Sequence, residues 1–319
     1  MKEHRKKNKK KRDLIECIIT LTILLAFVLF HNIQLKIEEP VRAPLGQLVE
    51  VDGNNMSVYT EGSGDKTLVF LSGSETPSPI LDFKSLFSLL SDEYRIVVVE
   101  RFGYGFSDVV DTPRDIDTVL GETRAALIAA GVNGPYVLCP HSMSGLEALY
   151  WAQQYPEEVE AIVGLDMAVP DAYKNFKNNV FVNATSQFNA KTGIIRLLPL
   201  LNELDCVEHG TLTDEEKKIV HALLYNNFSN RTTINELKYV RENAKIVGTG
   251  EICQVPMLLF ISNDTSTTEL TEATRTYANT AKNAKVIQLD CPHYVHDYEY
   301  NKIGEEIKNF LQETAATTE

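Results

Sequence analysis

Past residue 45 the chain alternates short, wholly apolar runs with longer stretches in which apolar residues recur every three or four positions. KTLVFLSG, YRIVVVE, PYVLCP, EAIVGLD, VPMLLFIS and AKVIQLD carry no polar face. They predict strands buried on both sides of a mostly parallel sheet. Between them, ILDFKSLFSLL, IDTVLGETRAALIAAG, MSGLEALYWAQQYP, TELTEATRTYANTA and residues 298–311 have helical spacing. Ahead of them, GQLVEV and MSVYTEG alternate around DGNN and predict a hairpin. The rhythm breaks over residues 167–255, which are helix-rich and more polar, with a capping-box pattern at Thr213–Glu216. The expected fold class is α/β, a mostly parallel sheet flanked by helices. Its core would comprise residues 46–166 and 256–319, interrupted by a helical cap at 167–255.

The N-terminus follows another pattern. Residues 14–30, LIECIITLTILLAFVLF, are almost all apolar. As a helix they reach ~26 Å, and extension to Ile33 spans a ~30 Å hydrocarbon core. Residues 1–12 hold eight Lys/Arg and one Glu, about +7, which leaves the rest near −20 in a chain of net charge −13. The basic flank predicts a cytoplasmic tail (1–12), an uncleaved signal anchor (13–33) with no small-x-small cleavage site after it, a stalk (34–45) and an extracytoplasmic body at the cell membrane. So acidic a body argues against nucleic acid as a partner. Five scattered cysteines form no disulfide framework, although Cys206 could pair with Cys253 in an exported domain.

Ligands on such a sheet bind beyond the carboxyl ends of the strands. There PHSMSG, residues 140–145, joins a strand to a helix with Ser142 at the turn. A tight strand–turn–helix lifts one side chain over the sheet and aims free helix N–H groups at it. The usual pattern is Gly-x-Ser-x-Gly; here Pro140 and Ser144 flank Ser142, and Gly145 comes one place late. A register with Ser144 as nucleophile is the alternative, and a plain N-cap serine is the structural reading.

The order of three segments is similar to the α/β-hydrolase family with a cap domain, over about residues 46–312. HSMSGLEALYWAQQYPEEVEAIVGLD resembles its elbow, helix and next strand. VVVERFGYGFSD resembles its strand followed by Asp-x-x-Gly-x-Gly-x-Ser, with Glu100 in the acidic place. VIQLDCPHYVHDYEYNKIGEEIKNFL resembles its terminal strand, histidine loop and last helix. The resemblance implies Ser142 as nucleophile, His293 as general base and an orienting aspartate. Asp264, after MLLFIS, is favoured over Asp166, which ends AIVGLD, although the usual Gly-x-x-Asp form is missing. The oxyanion donors would be the N–H groups of Met143 and Ser74. His296 and His141 are expected to pack or hydrogen-bond.

The expected activity is hydrolysis of a small ester or amide through an acyl-enzyme, with no cofactor. Phe176, Phe181, Phe188 and residues 197–201 could wall an acyl pocket or simply pack on the sheet. Haloalkane or epoxide chemistry would need an aspartate at position 142. Two CPH triplets, at 139–141 and 291–293, raise zinc as an alternative, but their spacing is tighter than usual ligand pairs. A non-catalytic binding or scaffold protein on the same fold is the reading from another class.

Overall fold

The structure, a computed structural model, describes residues 2–198, 203–281 and 283–318. The strands are β1 (Gln47–Val51), β2 (Asn54–Glu61), β3 (Thr67–Leu71), β4 (Arg95–Glu100), β5 (Tyr136–Pro140), β6 (Val159–Leu165), β7 (Met257–Ile261) and β8 (Ala284–Gln288). They form one sheet in the order β1-β2-β4-β3-β5-β6-β7-β8. β2 runs antiparallel to β1 and β4, and every later pairing is parallel. The continuous apolar runs explain this: β3, β5 and β7 are buried at every residue.

Alternate side chains feed two cores. Val69 and Leu71 pack with Trp151 and Met257 on one face, while Leu68 and Phe70 pack with Phe83, Phe260 and Ile307 on the other. Each such side chain contributes about 1.5–3 kcal/mol by leaving water. Helices α4 (Ile116–Ala129), α5 (Gly145–Gln154), α10 (Thr268–Thr280) and α12 (Tyr300–Thr318) follow the expected spacing. The stretch after β3 differs: it is two short helices, α2 (Pro79–Asp82) and α3 (Lys84–Phe87).

Helix α1 (Lys2–Glu38) takes in the basic block, the apolar run and the first part of the expected stalk. Among the described residues it is the one helix long and apolar enough to cross a membrane. Leu14, Ile18, Ile23, Leu25 and Leu29 all point into open space.

Between β6 and β7 lie α6 (Val180–Thr192), α7 (Asp205–Glu208), α8 (Asp214–Asn227) and α9 (Arg231–Thr249). Thr213 and Glu216 close the expected capping box on α8. Polar side chains tie this insertion to the loop after β4: Asn227 Nδ2 donates to Gly105 O and Asn230 Nδ2 to Gly103 O, both at 2.7 Å, and Thr232 Oγ1 donates to Val110 O at 2.7 Å. The acyl-wall expectation needs correcting here. Phe176 packs on the core, but Phe181 is 80% exposed, Phe188 49% and Leu197 63%, so these three face outward. Residues 199–202 lie outside the described residues. All five cysteines are free, so Cys206 and Cys253 are not bridged.

Candidate active site

The turn after β5 is built by sheet hydrogen bonds and two close approaches. His141 N donates to Leu71 O at 2.9 Å, and His141 bridges Leu165 on β6. The regular β5–β6 register stops at Leu138, so Pro140, which has no N–H to donate, falls where that ladder is interrupted. Ser142 follows with φ +50 and is half-buried, and its carbonyl accepts from Ala168 N at 2.7 Å. A Cβ on Gly73 would lie 2.9 Å from Ser142 Cβ, so only glycine lets the β3 loop cross the turn. A Cβ on Gly145 would lie 2.1 Å from Ala168 O. The crowded helix position is therefore 145, not 144, which explains how Ser144 is tolerated. Ser144 is itself buried, its Oγ 2.7 Å from Leu71 O and 2.8 Å from His141 O, so its hydroxyl is sequestered in the turn.

His293, in the loop after β8, reaches back to the end of β6. Its Nδ1 lies 2.6 Å from Asp166 Oδ2. A carboxylate only accepts, so Nδ1 carries the proton and the lone pair sits on Nε2. Asp166 is fully buried, has φ +46, and accepts a second bond from Ser262 N at 3.0 Å through Oδ1. The geometry therefore pairs the His293 ring with Asp166, the alternative acid, and not with the favoured Asp264. Asp264 caps the turn after β7, accepting from Ser266 N at 2.8 Å. Bonds from Ser266 hold its carboxyl below the usual range, helped to a smaller extent by the His293 N–H and imidazole. Asp264 thus closes its own turn, while Asp166 holds the His293 ring.

Ser142 Oγ and His293 Nε2 have no hydrogen-bond partner among the described residues, and they do not bond each other. Among the described residues, Ser142 and Asp166 are both non-glycine residues with left-handed backbone. Such backbone costs about 1–3 kcal/mol each and persists only where the surroundings impose it.

No family profile matches the sequence. The chain is 39% identical over 246 residues to YbdG, an uncharacterized protein of Bacillus subtilis, covering 76% of each chain. The structure matches a Bacillus megaterium epoxide hydrolase with a TM-score of 0.65, at 18% identity, over 83% of this chain and 100% of the other. The chain belongs to the α/β-hydrolase fold family. A haloalkane dehalogenase variant from Bradyrhizobium elkanii, another member of this fold, matches with a TM-score of 0.63, at 18% identity, over 85% of this chain and 97% of that one.

The remaining site residues sit on this α/β-hydrolase frame as follows. Among the described residues, neither Ser74 N–H nor Met143 N–H donates to a protein acceptor. Next to Met143, a cavity of about 30 Å³ is lined by Arg101, Ser144, Glu147, Glu236 and Val240, among others. Arg101 is buried, 3.1 Å from Glu147 on α5 and 3.6 Å from Glu236 on α9, so one guanidinium joins the floor of the elbow to the cap. Tyr104 also bonds Glu236. Glu100 accepts from Phe106 N at 2.9 Å but has no cation beside it, and burial pushes its carboxyl up to about 7.

His296 packs and hydrogen-bonds as expected, and the partner it finds was not named beforehand. His296 Nε2 lies 2.9 Å from Asp82 Oδ2, both buried, three residues on from His293. The rings of His293 and His296 each lie 4.7 Å from that of His141. Burial, then the two neighbouring imidazoles, hold His141 well below the usual histidine range, so it stays neutral. The signal was present in ILDF and YVHDY, where an acid and a base each stand inside an apolar stretch and therefore need a buried partner. Among the described residues, the one grouping of three metal-type ligand atoms is Asp82, His141 and His296. Cys139, Cys291 and His293 are not drawn into it.

Proposed function

We propose that this α/β-hydrolase is a membrane-anchored serine hydrolase acting on a small ester or amide. Ser142 is the nucleophile, His293 the general base and Asp166 the group that orients the imidazole. One observation carries the reading: His293 donates an Nδ1–H hydrogen bond to a buried carboxylate at 2.6 Å and leaves Nε2 free, at the same sheet edge as a strained, half-exposed serine.

In the reaction, Nε2 takes the Ser142 proton as Oγ attacks the acyl carbon. The oxyanion that forms is met by the N–H groups of Met143 and Ser74. The imidazolium then protonates the departing alcohol or amine. Water repeats the sequence on the acyl-enzyme, returning Ser142 and releasing the acid. No cofactor enters this chemistry.

Serine at position 142 also argues against the reactions named for the two structural neighbours. Displacing a halide or opening an epoxide with a serine would leave an ether, which water does not cleave. A carboxylate nucleophile would leave a hydrolysable ester. For the anchor, the support is the exposed apolar face of α1 behind a basic N-terminus. That arrangement supports an orientation with residues 1–12 in the cytoplasm and the hydrolase body outside, attached to the cell membrane.

The missing Ser142–His293 bond favours a second reading, a binding protein on this fold that performs no turnover. A fluorophosphonate probe distinguishes the two. Labelling of the folded wild type that disappears in Ser142→Ala supports the enzyme; a folded wild type that takes up no label supports the binder.

A further inference from the structure

The body carries net charge near −20, yet residues 172–202 contain no Asp or Glu and four cations, Lys174, Lys177, Lys191 and Arg196. Within this segment α6 turns an apolar stripe to solvent. Phe181 and Phe188 stand seven residues apart on one face of the helix, 80% and 49% exposed, with Val180 and Val182 exposed at its start. A soluble protein gains nothing from such a face, and a cationic apolar surface fits a lipid bilayer.

The far end of α6 is fixed against α1. Gly193 meets the side chain of His31, the first residue after the apolar run of α1. Arg196 Nε donates to His31 Nδ1 at 3.0 Å, and both of its Nη groups reach Glu38 at 2.7 Å. The Arg196 guanidinium also lies 4.0 Å from the centre of the Tyr225 ring on α8. This clasp uses up Arg196 and holds α6 level with the point where α1 would leave the bilayer.

We infer that α6 is a second membrane contact: its Val180–Phe188 stripe rests in the interface of the extracytoplasmic leaflet beside α1, with Lys174, Lys177 and Lys191 toward the lipid phosphates. This inference rests on the reading of α1 as a membrane anchor. The contact continues the anchor's own interface and fixes the cap relative to the membrane rather than leaving the body free on a tether. Helices of this kind lie about 5–10 Å into the headgroup–acyl boundary.

The test uses the full chain in vesicles of brominated phosphatidylcholine, with tryptophan fluorescence read after subtracting the constant signal of Trp151. Probes are placed one at a time as Leu25→Trp, Phe181→Trp and Ile128→Trp. Ile128 is exposed near the end of α4, where the chain turns toward the amino end of β5, whereas the cap begins after the carboxyl end of β6. The inference predicts quenching at 25, quenching about half as strong at 181, and none at 128. Quenching at 25 with none at 181 overturns the contact and leaves the anchor standing. An unquenched probe at 25 overturns the anchor, and the contact falls with it. Equal quenching at 128 and 181 also contradicts the contact, because the lipid would then be touching the body without selecting this face.

Discussion

Two histidine–carboxylate pairs lie three residues apart on one loop, and they differ in which nitrogen is spent. His293 donates through Nδ1 to Asp166 at 2.6 Å, and its side chain is 19% exposed. His296 donates through Nε2 to Asp82 at 2.9 Å and is fully buried, with Nδ1 unpartnered. The first ring leaves its outer nitrogen without a protein partner among the described residues. The second turns that nitrogen inward and packs on Phe83, with ring centres 4.7 Å apart. A proton shuttle needs an accessible lone pair; a structural bond needs burial. On the proposed reading, the same two residue types serve chemistry in one pair and the packing of the histidine loop in the other.

The comparison breaks most directly at the nucleophile. Ser142→Ala should lower hydrolysis about 10⁴–10⁶-fold with unchanged thermal unfolding, read as kcat/KM on a chromogenic short-chain ester. A variant that keeps wild-type turnover would remove the serine from the reaction. At the other pair the effect should fall on folding. Asp82→Ala leaves His296 buried without its partner and should cost about 3 kcal/mol in denaturant unfolding. The activity of its folded fraction should stay within about tenfold of wild type. A folded, stable Asp82→Ala protein with no activity would show that the two pairs are not separable.

Glu100 sharpens the contrast as a buried acid with no imidazole. Its folded pKa, raised by burial to about 7, lies above the ordinary 4.5, so the folded chain holds an extra proton between those values. Ionising Glu100 therefore costs stability above pH 7, and the cost fades as pH falls toward 4.5. Glu100→Gln should gain about 2–3 kcal/mol on wild type in unfolding free energy between pH 5 and pH 8. A difference that does not move with pH would mean that Glu100 is already ionised and satisfied.

What the sequence revealed follows the same division between fixed and adjustable geometry. Continuous apolar runs leave only a doubly covered sheet, so the strands and the strand-end positions of Ser142 and His293 could be read directly. The acid could not be placed by position alone, because Asp166 and Asp264 end neighbouring strands, β6 and β7. Their surroundings differ, though: Asp166 sits in GLDMAV, where a carboxylate must be buried and partnered, and Asp264 sits in SNDTST, where a turn cap suffices. The glycine expected two places after Ser142 stands at 145 because the turn begins with three 3₁₀ residues, which move the tight contact with Ala168 one place along. The outward face of the cap was illegible for another reason. Phe181 and Phe188 have the spacing of a buried stripe, and nothing in that spacing says whether protein or lipid covers it.

The central claim is that Asp166 orients His293 for attack by Ser142, and the most direct measurement is the rate of fluorophosphonate labelling, with the adduct located by peptide mass spectrometry. The measurement is made side by side on wild type, Asp166→Asn and Asp264→Asn. The account predicts an adduct on Ser142, a rate lowered about 10³–10⁴-fold by Asp166→Asn, and one within about tenfold of wild type for Asp264→Asn. Labelling on another residue, or a large loss in Asp264→Asn with little in Asp166→Asn, would contradict it.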